Sequence, residues 1–204
     1  MSVAEKVAKR VKRIPRGHLF SARECQQLGS LAAVQKALSR LAQSGEIERV
    51  SRGVYSRPKA RKTASPIVVL PSAVTLAKYW AKMNGYTLVT QAEEAAFRLG
   101  LQTQMPMRAI FWSNGPSRRF KQGNDIVEVR HVVDSKLRWA GQPEGEIYRG
   151  LLVTEPFSIS YDDWLRICGR LSINNERAKV FLQRILKISL PIGWREKLQG
   201  LDQN

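Results

Sequence analysis

The chain has 204 residues, of which 34 are Lys or Arg and 17 are Asp or Glu, a formal net charge of +17 at pH 7. An apolar fraction of 43% is too high for a disordered basic tail, and the longest aliphatic run, Ile67 to Leu70, stops at Pro71, far short of the roughly 20 residues that span a bilayer. So large a surplus of one sign opposes compaction, and a polyanionic partner is its first explanation.

The charge is unevenly placed. Up to Ala64 there are 15 basic and 4 acidic residues, a net +11, and from Ser65 onward 19 and 13, a net +6. The start carries basic residues without an apolar stretch behind them, so no secretory signal is expected. Cys25 and Cys168 match no metal or redox spacing and read as reduced thiols of a cytoplasmic protein.

Ser2 with Glu5 forms a capping-box pattern that opens a first helix. Its apolar residues are Val3, Val7, Val11 and Ile14, and its other face carries Lys6, Lys9, Arg10, Lys12 and Arg13. Pro15-Arg16-Gly17 stops it. A second box, Ser21 with Glu24, starts a short helix through Leu28, closed by Gly29. One residue on, Ser30 caps a third helix that runs to about Ser44, with Gly45 as its stop. Two helices joined by so tight a turn carry the helix-turn-helix signature.

At about 100° per residue, Leu31, Val34, Leu38 and Leu41 of the third helix fall within an arc of about 80°, a stripe that packs on the first two helices. The opposite arc presents Ala32, Ala33, Lys36, Ser39, Arg40 and Gln43 with no acidic residue. Such a face is either a solvated surface or a major-groove helix, on which small residues admit the backbone while Lys36 and Arg40 reach bases or phosphates.

Glu46 to Val50, Ser51-Arg52-Gly53 and Val54 to Ser56 read as a hairpin with glycine at the turn. Three helices followed by a hairpin give the winged-helix order, and Arg49, Arg52 and Arg57 put charge on or beside the wing. DNA binding is the expectation, with Ser30, Ala33, Lys36, Ser39, Arg40, Arg49, Arg52 and Arg57 as the contacting set. The segment 59–66, polar, basic and ended by proline, reads as a linker between a winged-helix domain (1–58) and a larger α+β domain (67–204).

In the second part Ser72 to Asn84 looks helical, and Thr90 with Glu93 forms a third capping box for a helix ending near Gly100. The period then changes to two. Arg108 to Trp112, Arg118 to Lys121 and Ile126 to Val132 read as a three-stranded meander, with Val127, Val129, His131 and Val133 on one face of the last strand. Further helices are expected around Ile147 to Val153, Asp162 to Cys168, Asn175 to Lys187 and Trp194 to Leu198. The fold class is therefore α+β, with a small antiparallel sheet in the second domain.

Motifs for catalysis are sparse, and no enzyme activity, cofactor or metal site is expected. The chain holds only two histidines, His18 and His131, neither at metal-ligand spacing, and His131 reads as a hydrogen-bonded structural residue. Asp162-Asp163 and Glu93-Glu94 suit the first turns of helices. Arg118-Arg119, after a Gly-Pro turn, either holds a phosphate or acidic group or is merely exposed.

The stretch Leu28 to Leu41, the hairpin Gly45-Glu46-Ile47 to Arg52-Gly53-Val54-Tyr55, and the later Asn114-Gly115-Pro116-Ser117-Arg118-Arg119 with Ile126-Val127-Glu128-Val129-Arg130-His131 resemble the AbiEi antitoxin family of AbiE type IV toxin–antitoxin systems, over residues 17–155. The resemblance implies a winged helix that represses its own operon at inverted repeats and a second domain needed for antitoxicity. It also implies a nucleotidyltransferase-like toxin neutralised without a stable complex. The family often has Arg where this chain has Leu31, so the operator sequence does not carry over, and residues 156–204 lie outside the resemblance. A protein-interaction module that binds an acidic toxin or regulatory partner directly is the alternative expectation.

Overall fold

The computed structural model describes residues 1–60 and 68–202 and has a mixed α+β fold. The chain divides into two compact units, residues 1–80 with 120–126, and residues 81–119 with 127–204. This division falls later than the expected boundary after residue 58. Of the expected linker, residues 61–66 lie outside the described residues, while Lys59–Ala60 forms a strand paired with Val68–Val69.

The first unit begins with α1 (Val3–Arg13), capped as its sequence requires: the Glu5 carboxylate accepts from Ser2 N–H at 2.8 Å and the Ser2 hydroxyl from Glu5 N–H at 3.3 Å. Val7 and Val11 are buried, and Arg10, Lys12 and Arg13 in the last turn complement the helix dipole. A short strand β1 (Leu19–Ser21), unexpected from the sequence, precedes the expected short helix, which is a 3-10 helix (Ala22–Leu28). The tighter period explains it: three residues per turn put Ala22, Cys25 and Leu28 on one face, all against the core.

Next comes α2 (Leu31–Gln43), which corresponds to the third helix of the sequence reading. Its buried residues are Val34, Ala37 and Leu38, while Leu31 is 43% exposed. The buried arc is centred between Ala37 and Leu38, which leaves Leu31 at its margin on the first turn. Strands β2 (Glu48–Ser51) and β3 (Val54–Ser56) follow, then β4 (Lys59–Ala60) and β5 (Val68–Val69). β3 lies between β1 and β2, antiparallel to both, with an irregular register between Arg49 and Ser51. Phe20 stacks on Tyr55 across this sheet, ring centroids 6.0 Å apart, and with Ile47 both join the core of the helices.

Helix α3 (Ala73–Asn84) runs through the boundary of the units. Within the first unit the Asp125 carboxylate accepts from Ala73 N–H at 2.9 Å, Trp80 packs on Phe120 at 5.6 Å, and Tyr79 donates its hydroxyl to Glu24 at 3.0 Å. These contacts hold residues 72–80 and 120–126 with the first unit and move the division beyond residue 58.

Beyond α3 lie β6 (Leu88–Thr90), α4 (Ala92–Leu99), β7 (Ala109–Ser113), β8 (Arg118–Gln122) and β9 (Asp125–His131). Thr90 does not cap α4. It ends β6 opposite Phe111, and Gln91 occupies the cap position. Nor do the last three strands form a meander: the order is β6-β7-β9-β8, with β7 parallel to β9. Composition accounts for the exchange. Val127 and Val129 of β9 are buried and suit an inner strand, whereas Arg118, Arg119 and Lys121 of β8 are exposed and suit an edge.

The remaining helices are α5 (Pro143–Leu151), α6 (Tyr161–Arg170), α7 (Asn175–Lys187) and α8 (Trp194–Asp202). α5 starts earlier than expected because Pro143 fits the first helical turn. The core beneath them is built on Trp164 and Trp194, whose indole N–H groups donate to Ala178 O and Thr154 O at 3.0 Å each. Among the described residues no helix is long and apolar enough to cross a membrane.

Candidate nucleic-acid interface

The α2 face is built from its cap upward. The Ser30 hydroxyl accepts from Ala33 N–H at 3.3 Å, which occupies Ser30 in fixing where the helix starts. Gly29 before it makes close packing possible: a Cβ there would lie 2.7 Å from Val3 Cγ2 of α1. With Val34, Ala37 and Leu38 turned inward, Lys36, Ser39, Arg40 and Gln43 are exposed and Ala33 is half-buried. α2 carries no carboxylate, so its outer face has two cations one turn apart and the Ser39 hydroxyl and Gln43 amide beside them.

Arg49 and Arg52 are exposed, Arg49 on β2 opposite Tyr55 and Arg52 at the hairpin turn. Gly53 there has a φ of +73°, a conformation that favours glycine. Arg57 behaves differently from the expectation. Its Nη1 donates to Lys12 O and Ile14 O, both at 2.7 Å, while its own carbonyl accepts from Gly17 N–H at 2.8 Å. The guanidinium thus clamps the C-terminal end of α1 to β3, where it satisfies carbonyls that the helix leaves open. Nothing in the linear sequence shows this, because its partners lie more than forty residues away.

Glu24 is a further residue that the sequence reading assigned only to a cap. Its carboxylate accepts from Ser21 N–H at 2.7 Å and also from the Tyr79 hydroxyl, and burial is the main cause that pushes the Tyr79 hydroxyl pKa up. Cys25 beside it is a buried free thiol, its pKa raised chiefly by burial with Arg10 pulling the other way.

In the second unit the turn Asn114 to Ser117 is closely held. Ser113 Oγ accepts from Gly115 N–H at 3.0 Å, Asn114 Oδ1 from Thr87 N–H at 2.9 Å, and Ser117 Oγ from His131 N–H at 2.9 Å. A Cβ on Gly115 would meet the Tyr86 ring at 2.6 Å. His131 Nδ1 lies 3.1 Å from Gly115 O, so the residue is hydrogen-bonded as expected, and it sits exposed at the end of β9. The turn delivers Arg118 and Arg119, both exposed, to the start of β8.

Of the carboxylates singled out in the sequence, Asp163 serves the cap of α6. Asp163 Oδ2 accepts from the Ser160 hydroxyl and N–H at 2.7 and 3.0 Å, and these bonds, with Arg166 nearby, hold its carboxyl below the ordinary value. Cys168 is buried, which pushes its thiol up to about 11. Among the described residues no group of three or more His, Cys, Asp or Glu gathers as a metal site would require.

No curated protein matches the chain. Residues 6–147 match the model of a family described as a family of unknown function, DUF6088. That match runs from within α1 to the middle of α5 and takes in more than half of the 204 residues, and the chain therefore belongs to the DUF6088 family.

Proposed function

We propose that the chain is a sequence-specific regulator that binds double-stranded DNA through an N-terminal winged helix-turn-helix. The observation that carries this reading is the exposed, carboxylate-free face of α2, presented by a tight turn from the 3-10 helix and followed by the β2–β3 hairpin. A helix with small residues at its start and Lys36, Ser39 and Arg40 beyond suits the major groove. Arg49 and Arg52 lie on the hairpin, where phosphate contact positions a protein without reading sequence. In finer terms we propose an autorepressing antitoxin of an AbiE-like type IV system, a reading supported by the motifs in the hairpin, the Gly115-Pro116-Ser117-Arg118-Arg119 turn and Glu128 to His131.

The test is an electrophoretic mobility assay on the DNA just upstream of the chain's own gene, with random competitor and varied salt. If six to ten phosphates are contacted, affinity falls roughly 10³- to 10⁵-fold between 50 and 200 mM salt. Replacing Lys36 and Arg40 together by Ala removes the preference for that DNA, and unchanged discrimination against random sequence overturns the α2 assignment. Arg52→Ala weakens binding to all sequences alike, and altered preference without general weakening counts against its phosphate role. Failure to bind any duplex, with a neighbouring gene product retained through high salt, overturns the DNA reading in favour of direct protein binding.

A further inference from the structure

One face of the sheet in the second unit gathers arginines around a single carboxylate. In the parallel register of β7 and β9, Ile110 stands opposite Glu128 and Trp112 opposite Arg130, so all four share a face. Arg130 Nη2 lies 3.1 Å from Glu128 Oε2, and Arg108 Nη1 lies 3.5 Å from Glu128 Oε1. Arg119 on β8 acts on the same carboxylate through space. The Lys136 ammonium sits 5.1 Å from the centre of the Trp112 ring. One negative charge thus stands among four positive ones, and the Arg108 and Arg130 side chains remain 72% and 52% exposed. Exposed ion pairs of this kind add little to stability, while the guanidinium groups repel one another, so folding alone does not account for their convergence.

We infer that this face is a second contact for the phosphate backbone of duplex DNA, made by Arg108, Arg119 and Arg130, with Glu128 as an internal competitor for their guanidinium groups. Only the choice of polymer rests on the function proposed above. Each guanidinium has five donors in a fork that matches phosphate oxygens, and Glu128 engages only part of them. Duplex is favoured over single strand because the one tryptophan on the face is half-buried and already covered by Lys136, which leaves no platform for stacking bases. Contact of this sort carries no sequence preference of its own.

The experiment uses the full chain and a labelled 30-base-pair duplex of random sequence, with binding followed by fluorescence anisotropy over a range of salt. Glu128→Gln tightens binding about threefold at low salt, the effect of removing one charge at about 6 Å from a phosphate in a high-dielectric setting. Arg119→Gln with Arg130→Gln lowers the salt slope by about 2, close to one unit for each phosphate lost. Lys187→Gln with Lys197→Gln, an equal charge change on exposed positions of α7 and α8, leaves the slope as it was. The inference is overturned if the arginine pair changes the slope no more than the lysine pair, or if Glu128→Gln leaves affinity unchanged. It is also overturned if single-stranded DNA of equal length binds more tightly than duplex and Trp112→Ala abolishes that advantage. Failure of the unaltered chain to bind any duplex sinks this inference together with the proposed function. Retained operator preference beside a flat response of the arginine pair sinks the sheet site alone.

Discussion

Arg57→Ala separates a clamp from a contact. In the folded chain the Arg57 guanidinium donates two 2.7 Å bonds to carbonyls at the C-terminal end of α1, Lys12 O and Ile14 O. Hydrogen bonds to a charged group contribute about 1.5–3 kcal/mol each where water is excluded. Arg57 is half-exposed, so water competes for both. Allowing also for a cation lost from a helix C-terminus, the net cost is about 2 kcal/mol. At roughly 1.4 kcal/mol per factor of ten, that corresponds to about 30-fold faster amide exchange. The assay is native-state hydrogen exchange on the full chain, read at the amides of Arg13 and Ile14. Arg57→Lys recovers only part of the protection, because an ammonium is a point charge without the planar fork. Arg52→Ala leaves these amides unchanged. Weaker duplex binding by Arg57→Ala with unchanged exchange in α1 would refute the reasoning, since it would place the guanidinium on a phosphate and not on the helix end.

Ser30→Ala removes the cap of α2 and lowers stability by about 1 kcal/mol, read as a shift in urea midpoint without a change in slope. Gly29→Ala drives a methyl group to 2.7 and 2.8 Å from the Val3 γ carbons. Because a β-branched residue in a helix has one preferred rotamer, the cost is about 1–3 kcal/mol. Adding Val3→Ala recovers most of it, and failure of that rescue would show that the clash is not the cause. For Cys168 the folded thiol is pushed up to about 11 from an ordinary 9.0, so folding favours the neutral form. The stability it contributes is complete below pH 9 and is lost as pH rises from 9 through 11. Denaturation midpoints of Cys168→Ala should fall less steeply than those of the unaltered chain over that window, and parallel curves would contradict the assignment.

Helical spacing and local end signals made α1, α2 and α7 legible. Ser2 with Glu5 starts α1, Ser30 and Gly45 bracket α2, and α7 runs over the expected Asn175–Lys187. The missed strands β1, β4, β5 and β6 have two or three residues each, too few for a period of two to stand out. The parallel pairing of β7 with β9 was illegible for another reason: it joins segments with β8 between them, and the sequence presents neighbours before partners. At the site, helical spacing alone placed Lys36, Ser39 and Arg40 on an exposed face. It did not tell Leu31 from Ala37, because the centre of the buried arc depends on what packs against it. The roles of Arg57 and Glu128 depend on side-chain direction and strand register, and neither is written in residue type.

The bond from Ala73 N–H to Asp125 and the packing of Trp80 on Phe120 bear on the order in which the chain is made. A ribosome delivers residues 1–80 first, but the piece that completes their unit is 120–126. Between the two it must deliver β6, α4 and β7. The first unit is therefore unfinished during a substantial stretch of synthesis. Any product cut short before residue 120 lacks the Phe120 ring and the Asp125 carboxylate. If the α2 face binds DNA, prematurely terminated chains meet their target on a scaffold that has not closed, and only chains read into β9, past residue 126, present it in finished form.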